Sequence, residues 1–463
     1  MTHAATLLFA LAAPLLIGVP ALALLGLPWR RDRLGRTASA WLLGCLGLGA
    51  MVQLGIECGL PRSWWWGLPI APAAPLVVLA RRRSAARDTE EPAAADLPFT
   101  IFVVAGVLVG LWFALAGMDR PCVEGDEGNI WSLKAKSLLV DFPEPFATTQ
   151  VFNLHPDYPQ LDPLLQSWVY ALTGVPDFVQ FENRWPVQLC CLALFVATAS
   201  ALRHRLPTLV AAPLASLILL EPEYQSLCRT AYADGMVALG LTVALDSFLR
   251  WRDGGERGQV WLSGLALAFS LWSKNESMLY LASAAIAAVL VRSWAHPLRG
   301  GWSPRNLVVL LPAAAVVAYT ALWNRRFGMR SDLLGANPTG KTMFELMAEQ
   351  WRDRVPAMLA EAWSSTLALG HVHAVFAALL LAVALLPRVA LGRRFALPVL
   401  AVSGGLAGLH IVYVGSFLPL RFHLDTSYLR VLFQILPVTL VLLGAVLSAV
   451  VVEARTRQTP APA

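Results

Sequence analysis

Apolar stretches long enough to cross a bilayer recur along the whole chain, and no other feature constrains its fold so tightly. A helix needs about 20 residues to span hydrocarbon, and no backbone N–H or C=O can be left unpaired there. Thirteen runs suggest such helices: 5–28, 37–57, 64–80, 97–117, 185–202, 206–220, 233–249, 259–273, 277–291, 306–323, 371–388, 395–416 and 430–451. The third and eighth are short. A further run, 161–173, is too short to span and is expected at an interface or dipping inward. Composition agrees, because 57% of residues are hydrophobic and 14% charged, against about 25% charged in soluble domains. The expected fold is an all-α polytopic membrane protein of about thirteen transmembrane helices, with outer-face loops carrying short helices.

Basic residues set the orientation, because Lys and Arg stay on the cytoplasmic side. With Arg30–Arg36 inside and the spans alternating, the later basic clusters all fall on that same side. They are Arg81–Arg83, Arg203 with Arg205, Arg250 with Arg252 and Arg257, Arg292–Arg305, Arg393 with Arg394, and Arg455 with Arg457. The amino terminus is then outside and the carboxyl terminus inside, in a multi-pass protein of the inner or plasma membrane. The first span lacks a basic leader and ends in a basic stop, so it does not read as a cleaved signal peptide.

These flanks account for the net charge of +6. No basic stripe with interleaved aromatics points to nucleic acid. The six cysteines show no metal-type spacing; Cys58, Cys122 and Cys228 lie near the outer face, where a disulfide among them is open. Within the spans almost no ionisable residue appears beyond Asp246, near a cytoplasmic end, and His410. Ion-coupled transporters keep charge at mid-membrane depth and use broken helices related by a repeat. Neither is evident, so chemistry is expected at the outer membrane face.

Two long outer loops, 118–160 and 324–370, lie on that face. The first carries the adjacent acids Asp126 and Glu127 after Gly125, then an expected helix from about Asn129 to Val140 bearing Trp131, Lys134 and Lys136. Asp126 suits a helix N-cap and equally a catalytic carboxylate; the roles are compatible. Further on, His155-Pro-Asp157-Tyr158-Pro gives a stiff extended entry to the run at 161–173. That run of residues is either a polar turn or a set of hydrogen-bonding groups for a sugar or phosphate. Arg229, Asp234, the tight turn Lys274-Asn275-Glu276, and Arg430 complete the set at span ends. Lone cations there usually anchor a span, whereas three adjacent polar residues in a tight turn need partners once covered.

These pieces, in this order, resemble the GT-C superfamily of membrane glycosyltransferases, and within it the protein O-mannosyltransferase and lipid A aminoarabinose transferase group. The likeness rests on Asp126-Glu127 followed by Trp131 and Ala135, on His155-Pro156 with Pro159 and Pro163, and on Lys274-Asn275-Glu276. It is closer still to bacterial members with a His-Pro-Asp-Tyr-Pro run and a Lys-Asn-Glu turn. It covers 118–440. Two departures stand out: three extra spans precede the acidic loop, and the His155 element reads Pro-Asp rather than Pro-Pro. The resemblance implies extra N-terminal helices over 1–96, a catalytic bundle over 97–451 with outer loops 118–184 and 324–370, and a cytoplasmic tail over 452–463.

It also implies a sugar donor carried on a polyprenyl phosphate and a protein, lipid or glycan acceptor. Asp126 would be the general base, with Glu127 orienting the acceptor or tuning that base. Lys274, Arg229, Lys134 and Arg430 are the candidates for the phosphate, with Lys341 more remote. His155, Asp157, Tyr158, Asp234, Asn275 and Glu276 would serve substrate binding. No Asp-x-Asp or His cluster offers a metal cage, so metal-independent chemistry without a cofactor is expected. The alternative is a transporter or lipid flippase that performs no glycosyl transfer.

Overall fold

The computed structural model describes residues 2–27, 29, 32–84, 96–120, 125–143, 146, 155–174, 181–294, 310–331, 337–367 and 372–458. Cys122, residues 295–305 of the Arg292–Arg305 cluster, the start of the run at 306–323, and the end of the tail lie outside them. All regular structure among the described residues is helical.

Each of the thirteen apolar runs contains a helix. The helices, in chain order, include α1 (His3–Leu24), α2 (Arg33–Glu57), α3 (Ile70–Ser84), α4 (Leu97–Ala116), then α5 (Leu133–Val140) and α6 (Leu161–Thr173), which lie outside the thirteen runs. They continue with α7 (Trp185–Arg203), α8 (Thr208–Leu220), α9 (Pro222–Arg229), α10 (Asp234–Gly254), α11 (Arg257–Ser273), α12 (Glu276–Trp294) and α13 (Leu311–Arg326). The last are α14 (Met343–Leu367), α15 (Val372–Leu385), α16 (Ala396–Val414), α17 (Leu420–Thr426), α18 (Tyr428–Phe433) and α19 (Leu436–Gln458).

Among the described residues, seven helical segments are long and apolar enough to cross a membrane, or eight if the bent pair α9–α10 is one span. The other runs hold shorter apolar helices among the described residues. With 13 residues, α8 extends about 20 Å at 1.5 Å per residue, against about 30 Å of hydrocarbon. The protein is therefore a helical membrane protein with seven or eight crossings supported by helix length among the described residues.

Small residues let the N-terminal helices interlock. A Cβ at Gly44 of α2 would lie 1.9 Å from the Pro14 carbonyl oxygen, and one at Gly18 of α1 would lie 1.7 Å from that of Ala40. Such close approach is how helices associate where lipid is as apolar as the side chains. Both helices also pack on α6, whose Trp168 indole donates to the Ala10 carbonyl at 2.9 Å. Almost every residue of α6 is buried, so the short run dips into the bundle.

Ion pairs sort the bundle into two ends. Asp32 with Arg250, Asp246 with Arg205, and Asp253 with Arg394 join the basic clusters at one end. At the other, Arg326 pairs with Glu57, and Arg354 donates to the carbonyls of Tyr413, Ser416 and Leu418. That arginine lies on α14, a 25-residue helix that occupies much of the second long loop, longer than the short helices expected there. Charges fall inside the apolar runs besides Asp246 and His410, among them Asp234 at the start of 233–249 and Arg430 at the start of 430–451, and charged flanks fold inward as well. Asp32, Arg36, Arg205, Asp246 and Arg250 turn inward between helices, which is tolerable because most pair with one another.

Candidate functional site

The break between α9 and α10, a bend of 116°, places Asp234 at the head of a buried chain of charges. Its Oδ1 accepts from Lys274 Nζ at 2.9 Å and from Gln434 Nε2 at 2.6 Å. Lys274 sits in the turn between α11 and α12 and also pairs with Glu276 at 3.0 Å. Burial pulls the Lys274 ammonium down, but Asp234 and Glu276 more than offset this and hold it above the usual lysine range. Arg430 of α18 reaches from this cluster outward: its Nε is 3.7 Å from Asp234 Oδ2, and its Nη2 is 2.5 Å from Asp126 Oδ2.

Asp126 begins a helical turn that runs through a π-helical segment, Glu127–Ser132, into α5. Gly125 precedes it at φ +53°, where a Cβ would meet the Tyr232 hydroxyl at 2.9 Å. No capping hydrogen bond involves the Asp126 side chain. Its carboxylate instead faces Arg430 and is 34% exposed, where the Arg430 side chain is 10% exposed and that of Asp234 only 1%. Arg430 further stacks over the Tyr232 ring at 4.3 Å. Of these acids, Asp126 is the one a water-borne molecule reaches.

Glu127 turns elsewhere. Arg184, just before α7, grips it through Nε at 2.5 Å and Nη2 at 2.8 Å, and the Ala231 N–H donates to the same carboxylate at 2.8 Å. Arg184 also donates to the carbonyls of Gly117 and Arg120. Both side chains are almost fully buried. This clamp ties the start of the acidic loop to the α9–α10 break and buries the Glu127 carboxylate.

The proline run forms the neighbouring wall. Tyr158 stacks with Trp131 and with His155, at centroid separations of 5.4 and 4.7 Å, and Lys274 lies over its ring at 5.8 Å. Asn275 donates to Asp157 at 2.9 Å, coupling the run to the Lys274 turn. Asn324 donates to the Asp157 carbonyl from α13. The run is therefore a built wall, with its polar side chains bonded to neighbours.

Lys134 points into its own loop. Its ammonium is fully buried and donates to the carbonyls of Pro156 at 2.9 Å and Tyr158 at 2.8 Å. Burial brings its pKa down to about 7, with Asp157 opposing that fall. Arg229 is also elsewhere, exposed on α9 over the Phe113 ring at 5.5 Å. Lys341 pairs with Glu349 at 2.6 Å in an exposed pair on the second loop. Cys58 and Cys228 are both reduced, and Cys228 is buried, so these two do not form the disulfide left open.

Three contributors were not singled out from sequence: Arg184, Tyr232 and Gln434. Each lies beside a span end, which is the only signal they carry alone. The same holds for Asp162 inside α6, whose carboxyl burial pushes up to about 8 while Gln166 donates to it at 2.8 Å.

Compared with family models, with curated proteins and with solved structures, the chain shows no match.

Proposed function

We propose that this protein moves a sugar from a polyprenyl-phosphate carrier to an acceptor hydroxyl at the membrane surface, with inversion. The observation that carries the reading is Asp126: a partly exposed carboxylate beside Arg430, with the buried Asp234–Lys274 pair behind it. An acceptor O–H would give its proton to Asp126 as its oxygen attacks the anomeric carbon. The bond from that carbon to the phosphate oxygen breaks, and the carrier leaves as polyprenyl phosphate. Arg430 would offset the charge that develops on the leaving oxygen, with Lys274 supporting it through Asp234. Because these cations are at hand, the reading needs no metal.

Glu127 is recast as a positioning residue, since Arg184 engages it. Lys134 holds the His155–Tyr158 run in place. His155, Tyr158 and Asn275 remain the sugar-side candidates.

The test is chemical. Removing the protein from its host should cause a lipid-linked sugar to accumulate. Purified protein should then transfer that sugar to an acceptor extracted from the same membranes. No accumulation, together with no transfer, sinks the reading.

A second reading has one observation in its favour. The bend at α9–α10 sets Asp234 at a helix break, a geometry that transporters use to bind substrate. Flux of lipid-linked sugar across liposomes, without transfer, would select it.

A further inference from the structure

At 25 residues, α14 is about 37 Å long at 1.5 Å per residue, enough to cross hydrocarbon. Its charges, Glu345, Glu349, Arg352, Asp353, Arg354 and Glu361, exclude it from a span. A capping box starts it: Glu345 Oε2 accepts from the Thr342 N–H at 2.7 Å, and Thr342 Oγ1 accepts from the Glu345 N–H at 3.4 Å.

Ridges of every fourth residue run along this helix. Leu346, Gln350, Arg354 and Met358 form the ridge packed on the bundle, where Leu346 and Met358 are buried. Trp351, Val355, Leu359 and Trp363 form a second ridge, about 100° round the helix to one side, and all four are exposed. Glu345, Glu349 and Asp353 lie about 100° to the other side and are exposed too. The apolar and acidic flanks therefore face away from each other, with the bundle between them.

Two contacts fix the direction of the helix. A Cβ at Gly415 would lie 2.5 Å from Met343 Cγ, and Arg354, farther along the helix, donates to the carbonyls of Tyr413, Ser416 and Leu418. Met343 and Arg354 are about 16 Å apart along the axis, yet both meet residues 413–418. A helix running beside α16 would meet it over a matching length, so α14 crosses the end of that span instead.

A helix laid across a span end and held to the rim by one ridge has one flank toward the bilayer and the other toward water. The apolar flank is the one continuous with lipid-facing surface. Both neighbouring spans, α15 and α16, expose apolar side chains, Leu380 and Leu381 on the first and Ile411 on the second. Ile411 lies within one turn of the α16 end. Tryptophan settles at the membrane–water boundary, and Trp351 and Trp363 begin and end the ridge. A stable protein contact takes about 20–30 residues a side, whereas this is a single row.

We propose that α14 lies in the plane of the membrane surface at the Asp126 end of the bundle, with the Trp351–Trp363 ridge seated in the lipid at the headgroup–acyl boundary and the acidic flank in water. An in-plane amphipathic helix buries its apolar face by about 5–10 Å, the depth of the first acyl carbons.

The test uses the full-length protein in phosphatidylcholine nanodiscs, with Cys58 and Cys122 replaced by Ser. A nitrobenzoxadiazole dye is attached in turn to Leu359→Cys, Val355→Cys and Asp353→Cys. The dyes at 359 and 355 should lose most of their emission to phosphatidylcholine spin-labelled near the top of its acyl chain, and little to aqueous iodide. The dye at 353 should show the reverse. Equal loss to iodide at 359 and 353 would place the apolar flank in water and overturn the proposal. Protection of 359 and 355 from both quenchers would also overturn it, because protein rather than lipid would then cover the ridge.

Discussion

Arg430 Nη2 lies 2.5 Å from Asp126 Oδ2, joining residues 304 positions apart in the chain. The contact brings the first acidic loop against the turn that opens the last helix. Through Asp234 it continues to Lys274 in the turn between α11 and α12. One cation therefore links the exposed acid to the buried one. A charge change at Asp126 is felt along that chain, because buried pairs are poorly screened.

Asp126→Asn keeps the size of the side chain and removes the base. Transfer should fall by about 10²–10⁴-fold, the usual worth of a positioned general base. Melting in detergent should fall only modestly, because the Asn amide oxygen can still accept from Arg430 and that arginine keeps Asp234 at 3.7 Å. Full activity in that variant refutes the base assignment.

Glu127→Gln should act on stability first. It leaves Arg184 buried with half its partner, and breaking a buried pair on one side costs about 3–5 kcal/mol. Replacing both, as Glu127→Leu with Arg184→Met, should recover part of that loss. Denaturant titration in detergent measures both. A single variant as stable as the parent would show that the clamp does not hold the loop.

Lys134 makes stability depend on pH. Its folded pKa of about 7 lies below the ordinary lysine value of 10.5, so between these values the unfolded chain binds more protons than the folded one. Stability should therefore rise with pH across that window, by up to about 1.4 kcal/mol per pH unit from this group. Below pH 7 the full penalty for burying the amine is present. Lys134→Met should flatten the rise; an unchanged slope in that variant would mean the amine does not titrate there.

Topology is testable by fusion. A reporter joined after Arg457 should remain cytoplasmic, and one inserted at Gly340 should lie on the opposite side. Signals with the reverse placement would invert the proposed sidedness of Asp126.

Much of this arrangement can be read from sequence, and for a definite reason. Apolar runs must become helices in lipid, so all thirteen runs contain helices without any tertiary argument. Loops rich in Arg must stay out of hydrocarbon, and Asp253 with Arg394, or Asp32 with Arg250, confirm that such loops share one end. The turn Lys274-Asn275-Glu276 was likewise legible as a set of groups needing partners, and Asp234 and Asp157 supply them.

The tertiary structure decided where each side chain of the acidic pair went. Asp126 and Glu127 are adjacent in the chain, which suggests one shared task. Neighbouring residues on a helix do not face the same way, so Asp126 meets Arg430 while Glu127 meets Arg184. Which cation waits in each direction depends on how α7 and α18 rotate about their axes, and that is set by packing across the whole bundle. The same dependence turned Lys134 onto the Pro156 and Tyr158 carbonyls of its own loop. Local composition determined that these residues are helical, near the membrane and short of water. Only the assembled bundle determined which of them face one another.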